Sequence, residues 1–230
     1  GVDVRRIFAP TLLILLAAPV FAPVLRGQEA PKPELPATFF VGRVMYSTDQ
    51  GRACGDVGRD LVTLLSEICS IPVKKDKRVK LDGNEIFETP FLFMNGHTQL
   101  VLTDAEIANV RVYFQKGGFL MASGCCDNPG FPNAWRREFG RIFPGAAIKK
   151  IPYDHPIYHS YYPIDQVRSL HHNKQIQLEG LYDGEDLVAV MCEEGLCCAF
   201  MRNKCNPGKG VPEDVGKKLA VNIAVYAVTH

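Results

Sequence analysis

Residues 102–131 read LTDAEIANVRVYFQKGGFLMASGCCDNPGF and place a helix, a glycine pair and an apolar run in direct succession. Thr103 and Glu106 form the capping-box pattern that opens a helix. The glycine pair at 117–118 ends that helix, and the apolar run at 119–122 predicts a buried strand. This order of helix, tight turn and buried strand is typical of an α/β protein.

The same alternation extends over the first two thirds of the chain. Strands are predicted at residues 39–46, 91–94 and 146–151, and helices at 56–71 and 133–141. The charge run at 74–80 predicts a solvated loop with a short edge strand. We therefore expect a mostly parallel sheet with helices on both faces.

After residue 151 the pattern changes. Short runs at residues 175–181, 187–192 and 198–201 are separated by turns rich in glycine and acidic residues. Such spacing predicts an antiparallel extension of the sheet. A final helix is predicted at residues 216–228.

The N-terminal segment predicts a membrane anchor. Arg5 and Arg6 precede residues 7–25, IFAPTLLILLAAPVFAPVL, which carry no charge. As a helix this segment rises about 29 Å, close to the thickness of the hydrocarbon core. A cleaved secretory signal has the same basic start and apolar middle. Proline follows each alanine at which cleavage could be placed, which favours the uncleaved anchor.

The anchor fixes the expected location of the rest of the chain. The two arginines predict a cytoplasmic N-terminus and a single pass through a bacterial inner membrane. Residues 26–38, RGQEAPKPELPAT, predict a proline-rich linker, and residues 39–230 a periplasmic α/β domain. The sequence leaves open that the apolar segment lies at the membrane surface instead of crossing it.

Composition excludes several classes of function. The 230 residues carry a formal net charge of +1, so nucleic acid is not predicted as a partner. No Gly-x-Gly-x-x-Gly, P-loop, Gly-x-Ser-x-Gly or His-Glu-x-x-His motif is present in the sequence, and no cofactor is predicted.

Polar turns follow three of the predicted strands, at residues 47–51, 95–97 and 123–127. The carboxyl ends of parallel strands are where α/β proteins bind ligands. A ligand-binding pocket there would use Asp49, Asn95, His97 and Asp127. The alternative is structural, since any chain leaving a buried strand needs polar, glycine-containing turns.

Cys125 and Cys126 sit at the end of a predicted strand, where a nucleophile could lie, with His97 as its base. The Gly-x-Cys-x-Gly elbow is absent, and the predicted compartment is oxidising. Eight cysteines favour disulfides, whose pairing stays open. A metal site is not predicted because Cys-x-x-Cys spacing is absent.

Aromatic residues crowd the stretch YDHPIYHSYYPI at residues 153–164. His155 and His159 are four apart, but Pro156 disfavours the helix that would bring them together. Aromatic side chains are enriched at protein interfaces, so this stretch predicts a packed or partner-facing loop. The candidate partner-contact residues are Tyr153, Tyr158, Tyr161 and Tyr162.

Several motifs together carry a resemblance: FLFMNGH, the opening stretch, WRREFGRIFPG, DHPIYHSYYPID and LEGLYDGEDLVAVM. In this order they resemble an uncharacterised family of exported bacterial proteins, a domain of unknown function, over residues 39–228. The resemblance implies a flavodoxin-like sheet of the class I glutamine amidotransferase type. The catalytic elbow and His-Glu pair of those enzymes are not recognisable. An anchored chain of this kind also resembles accessory periplasmic subunits of bacterial photosynthetic reaction centre–light-harvesting complexes.

The predicted function is therefore that of a non-catalytic, membrane-anchored periplasmic subunit that stabilises a larger membrane complex, as a scaffold. Its partners would be membrane protein subunits and, through residues 7–25, the lipid bilayer. Two alternatives stay open. One is a thiol-dependent hydrolase or amidase using Cys125 or Cys126, and the other is a small-ligand-binding module.

Overall fold

The computed structural model describes residues 39–46, 57–69, 73–202 and 209–230. The strands are β1 (Phe39–Met45), β2 (Val73–Lys80), β3 (Phe91–Gly96), β4 (Phe119–Gly124), β5 (Lys149–Lys150), β6 (Glu179–Asp183) and β7 (Asp186–Cys192). The α-helices are α1 (Val57–Cys69), α2 (Asp104–Gln115), α3 (Gly130–Phe139), α4 (Cys197–Phe200) and α5 (Glu213–Thr229), and short 3₁₀ helices occupy Asn84–Glu88 and Pro156–Tyr158.

The strands form one sheet in the order β2-β1-β3-β4-β7-β6-β5. The first five in this order are parallel to their neighbours. β6 then pairs antiparallel with β7, and β5 with β6. The mixed α/β class and the mostly parallel sheet are confirmed, and so is the antiparallel extension.

The sheet is covered on both faces because successive side chains of a buried strand point to opposite sides. Alternate residues of β3 and β4 pack with α1 and α5 on one face: Phe91, Phe93, Phe119 and Met121. Their neighbours pack with α2 and α3 on the other: Leu92, Met94, Leu120 and Ala122. Burying a large apolar side chain contributes about 1.5–3 kcal/mol, so these two layers fix the sheet.

The predicted capping box of α2 is confirmed. The Thr103 hydroxyl accepts a hydrogen bond from the Glu106 amide at 3.2 Å, and the Glu106 carboxylate accepts one from the Thr103 amide at 2.7 Å. Tyr113, at the other end of α2, donates its hydroxyl to the Phe119 carbonyl at 3.1 Å. These bonds tie the helix to the start of β4.

Four predicted elements differ from the structure. The strand expected at residues 175–181 begins later, as Glu179–Asp183. Residues 198–201 were expected to be a strand, but Cys197–Phe200 is a short helix, because a buried apolar run of four residues carries no period that separates strand from helix. The strand expected at residues 146–151 is reduced to Lys149–Lys150. The charged run is wholly a strand, because β2 lies at the edge of the sheet, where charged residues are common.

Among the described residues, no helix is long and apolar enough to cross a membrane. The predicted anchor at residues 7–25 and the predicted linker at residues 26–38 lie outside those residues.

Candidate functional site

The carboxyl ends of β3, β4 and β7 meet in register. Asn95 pairs with Ser123, and Ser123 pairs with Cys192. All three are buried. The chain leaves these strands at residues 97, 125–127 and 193–194, and we call the whole region, residues 95–97, 123–127 and 192–194, the strand-end edge.

The turn after β4 has an unusual backbone. Cys126 and Asp127 have φ of 54° and 59°, which is the left-handed region that non-glycine residues rarely adopt. The turn is held by two backbone hydrogen bonds: the Cys125 amide donates to the Gly96 carbonyl at 3.0 Å, and the Asn128 amide to the Cys125 carbonyl at 3.1 Å. Residues kept in such a conformation cluster at active sites and ligand clamps.

The half-buried Cys126 side chain meets an imidazole. Its Sγ lies 3.3 Å from Nε2 of His97, which comes from the loop after β3. At this distance the imidazole can take the thiol proton or stabilise the thiolate. Cys126 therefore sits where strand, strained turn and helix succeed one another, the setting of a nucleophile elbow.

Cys125, the neighbouring cysteine, points the other way. It is completely buried, and its Sγ accepts a hydrogen bond from Asn95 Nδ2 at 3.3 Å. The same sulfur lies 3.3 Å from Cys197 Sγ. Burial also raises the pKa of the Cys192 thiol to about 12, so Cys192 stays protonated and unreactive. Cys126 is thus the half-buried cysteine of the strand-end edge and the one that contacts an imidazole.

A cluster of two histidines and an aspartate adjoins the turn, and we call it the Asp-His-His cluster: Asp127, His171 and His172. Asp127 Oδ2 lies 2.9 Å from His171 Nε2 and 3.2 Å from His172 Nε2. Partial burial acts to raise the pKa of Asp127, but the two histidine rings beside it lower that pKa below its ordinary value. Lys209 Nζ approaches the same carboxylate at 3.6 Å.

Acidic residues follow β7. Glu194 is almost fully buried and accepts a hydrogen bond from the Ser169 hydroxyl at 2.6 Å. Lys174 Nζ lies 3.2 Å from both Glu193 and Glu194. Burial acts to raise the pKa of Glu193, but Lys174 and Arg136 lower it overall, so this carboxylate is ionised at neutral pH.

A polar cavity of about 340 Å³ opens beside these groups. Its walls include Asp127, Asn133, Arg136, Lys174, Glu193 and Glu194. Both signs of charge line it, which suits a small polar molecule better than an apolar one.

A family model described as "Domain of unknown function (DUF4159)" matches residues 41–228. The chain belongs to the DUF4159 family. No curated protein matches this chain. The predicted membership of an uncharacterised domain family is therefore confirmed over nearly all of the described residues.

Three of the four predicted ligand-binding residues of this DUF4159 domain lie in one region of the structure, and the fourth lies outside the described residues. Asn95, His97 and Asp127 all lie at the strand-end edge, although the amide of Asn95 is directed at Cys125 Sγ. Asp49 lies outside the described residues. Three polar side chains that follow different parallel strands in the sequence are thus close together at the carboxyl ends of those strands.

The tyrosine loop, residues 153–162, is mostly packed inward. Tyr158 is completely buried, whereas Tyr161 is 48% exposed. The two histidines of the loop contact backbone groups of the same loop. His155 Nδ1 accepts a hydrogen bond from the Ile157 amide at 3.2 Å, and His159 Nε2 lies 2.8 Å from the Tyr153 carbonyl. A partner that met this loop would touch Tyr161 and not Tyr158.

The predicted disulfides stay a prediction. No disulfide joins two of the described cysteines, and Cys54 and Cys205 lie outside the described residues. The 3.3 Å between Cys125 Sγ and Cys197 Sγ is longer than the ~2.05 Å of a disulfide bond.

Sequence reasoning missed three contributors to the site. His171 and His172 carried one usable signal, their adjacency in a polar loop. The Glu193–Glu194 pair directly after a buried strand is a second signal, because a carboxylate at a strand's carboxyl end faces the site. Ser169 offers none, since its role depends on the fold of its loop.

Proposed function

We propose that this DUF4159 domain is a thiol-dependent hydrolase of amides or esters, with Cys126 as nucleophile and His97 as its base. The observation that carries the proposal is the 3.3 Å contact between Cys126 Sγ and His97 Nε2, at a cysteine with left-handed backbone. Nucleophile and base within hydrogen-bond reach are the signature of covalent catalysis by cysteine.

The reaction follows from these two side chains. His97 Nε2 takes the proton of the Cys126 thiol, and the thiolate attacks the carbonyl carbon of the substrate. The carbon–nitrogen or carbon–oxygen bond breaks, and His97 returns the proton to the leaving amine or alcohol. Water then attacks the thioester with His97 as base, which releases the acid and restores the thiol. The adjoining polar cavity favours a small polar acyl group.

We infer that the sheet is flavodoxin-like, of the class I glutamine amidotransferase type. The strand order β2-β1-β3-β4 followed by a fifth parallel strand supports this, because it is the flavodoxin-like order, in which ligands bind at the strands' carboxyl ends. The adjacent cysteines and the missing Gly-x-Cys-x-Gly elbow depart from the amidotransferase pattern. The likeness therefore supports the fold and leaves the activity to the site.

The test is site-specific alkylation of the full chain with iodoacetamide, followed by mass spectrometry and hydrolysis assays on p-nitrophenyl esters and amino-acid amides. We expect Cys126 to be alkylated fastest near neutral pH, with at least about a tenfold loss of rate in His97→Asn. Cys126→Ser should abolish turnover. Cys125→Ser is the matched control and should retain turnover. A Cys126→Ser variant with full activity, or a Cys126 as slow as Cys125, contradicts the proposal.

We propose a non-catalytic subunit of a membrane assembly as the second candidate. The observation that favours it is Tyr161, which is half exposed yet fixed: its amide donates to Asn222 Oδ1 at 3.1 Å and its hydroxyl to the Ile68 carbonyl at 3.2 Å. A rigid exposed aromatic ring is a typical interface anchor. A bacterial photosynthetic reaction centre–light-harvesting complex is one assembly of this kind.

Co-purification of the native full chain from membranes tests the second candidate. Tyr161→Ala should reduce recovery of the complex, whereas Phe87→Ala, which removes a comparably exposed ring in another part of the domain, should leave it unchanged. Equal recovery with both variants, or isolation of the wild-type chain as a monomer, contradicts a scaffolding role for this loop.

A further inference from the structure

We propose that the Asp-His-His cluster binds a divalent transition-metal ion, with Zn²⁺ the best fit. One ligand atom from each of Asp127, His171 and His172 lies within 4.8 Å of the others. Carboxylate oxygen and imidazole nitrogen are standard zinc ligands. The inference stands on this cluster alone and does not depend on the thiol chemistry proposed above.

The hydrogen-bonding of Ser169 sets which nitrogen of His171 faces Asp127. The Ser169 hydroxyl has one hydrogen, and it is donated to Glu194 Oε2 at 2.6 Å. The Ser169 oxygen therefore acts as acceptor towards His171 Nδ1, which is 3.3 Å away. This places a hydrogen on Nδ1, and in the neutral ring the lone pair of Nε2 is then directed at Asp127.

A lone pair and a carboxylate oxygen 2.9 Å apart repel each other unless a cation lies between them. Nε2 of His171 is buried and makes no well-formed hydrogen bond with a described residue. A metal ion at this place satisfies both atoms at once. The alternative is a second proton on His171, which makes the cluster an imidazolium–carboxylate pair.

The surroundings resemble those that hold a metal-binding histidine in place. Metal ligands usually have their second ring nitrogen bonded to a carboxylate, carbonyl or similar group. Here Ser169 and the buried Glu194 form that outer contact. The amides of His171 and His172 also lie 3.4 and 3.3 Å from the Ser169 hydroxyl, so one serine fixes the turn that carries both histidines.

The charge of the site also permits a cation. Lys209 Nζ is 3.6 Å from Asp127 Oδ2, and its side chain is 38% exposed, so it can turn into solvent when a metal ion takes its place. Asp127 lines the polar cavity. Three protein ligands with a fourth position open to water match the pattern of an open zinc site.

The full chain, stripped of metal with a chelator, is titrated with Zn²⁺ by calorimetry and with Co²⁺ by visible absorption. We expect one ion per chain and a tetrahedral Co²⁺ spectrum. His172→Ala and Asp127→Asn should each weaken binding at least about tenfold, and Ser169→Ala about tenfold through the outer contact. Lys209→Met should bind equally well or more tightly. His159→Ala, in the tyrosine loop, is the matched control and should bind as wild type does.

Two results would overturn the proposal. One is a chain that binds neither ion more tightly than Asp127→Asn does, which leaves the imidazolium–carboxylate pair. The other is binding that is lost in Cys126→Ser but kept in His172→Ala, with a sulfur-to-cobalt charge-transfer band in the wild type. That outcome moves the metal to Cys126 and His97.

Discussion

The tyrosine loop is held by one buried side-chain amide, that of Asn222 in α5, which forms hydrogen bonds with four backbone groups of the loop. At the strand-end edge, by contrast, a thiol contacts an imidazole and the backbone is strained. Asn222 Nδ2 donates to the carbonyls of Tyr158 and Tyr162 at 2.7 and 2.8 Å, and its Oδ1 accepts from the amides of Tyr161 and Tyr162 at 3.1 and 2.7 Å. This network is complete, and such networks rigidify a fold.

The strand-end edge shows the opposite arrangement. Cys126 and Asp127 keep a costly backbone conformation, and a thiol faces an imidazole. Neither feature improves stability on its own, since each non-glycine residue in the left-handed region costs about 1 kcal/mol or more. The comparison indicates where to look for function: in the strand-end edge, whose conformation lowers stability, and not in the tyrosine loop, whose hydrogen bonds raise it.

Removing the amide of Asn222 should have the largest effect on stability. Asn222→Leu keeps the branched shape of the side chain but removes hydrogen bonds from four backbone groups, of which the Tyr158 carbonyl alone keeps another, from the Ile164 amide at 3.1 Å. We expect this change to cost about 3–5 kcal/mol in the free energy of unfolding. Asn109→Leu is the control, because its half-buried amide donates to only the Leu81 and Gly83 carbonyls. We expect it to cost about 1–2 kcal/mol. Denaturant unfolding of both variants checks this, and equal losses would contradict the special role of Asn222.

Crowding the strand-end edge should have the next largest effect. A Cβ at Gly124 would lie 2.4 Å from the Glu193 carbonyl oxygen and 2.9 Å from Pro132 Cγ. Since the first of these is backbone, Gly124→Ala must shift the chain, and we expect a loss of about 1–3 kcal/mol. The same shift should slow Cys126 alkylation. A loss below about 0.5 kcal/mol in thermal or denaturant unfolding would show that the edge is loosely packed.

Relieving the backbone of Cys126 should stabilise the domain. Cys126→Ala and Cys126→Gly both remove the thiol, but only glycine adopts φ of 54° without strain. We expect Cys126→Gly to be more stable than Cys126→Ala by about 1 kcal/mol. Unfolding measured side by side decides the matter. If the alanine variant is the more stable one, the left-handed turn is not strained and the contrast between the two regions disappears.

The fold was predictable to the extent that local patterns determine it. The capping box at Thr103 and Glu106 and the apolar runs of β3 and β4 indicated their elements directly, and the strand-end rule brought Asn95, His97 and Asp127 together. The helix at Cys197–Phe200 was not predictable, because its four residues are buried on all sides and show no period.

The candidate site was only half predictable for a related reason. Cys126 and His97 could be proposed as partners because both follow strands. The left-handed turn that directs Cys126 away from Cys125 could not be predicted, because Cys126 and Asp127 are not glycines and no sequence motif indicates such a turn. His171 and His172 come from a long loop, and their approach to Asp127 depends on Ser169, Glu194 and the packing of that loop.

The smallest expected effect is a pH dependence carried by Asp127. Its pKa is lower in the folded domain than its ordinary value, so the folded state favours the ionised carboxylate. This contribution is complete at pH values above the ordinary pKa of an aspartate, about 3.9, and is lost as the pH falls through the lower folded value. In metal-free buffer, Asp127→Asn should therefore be less stable than wild type at pH 5, and the difference should narrow steadily towards pH 3. Denaturant unfolding across this range checks it. A difference that is constant with pH would mean that the carboxylate contributes by shape and not by charge, which would weaken the electrostatic case for a cation at this edge.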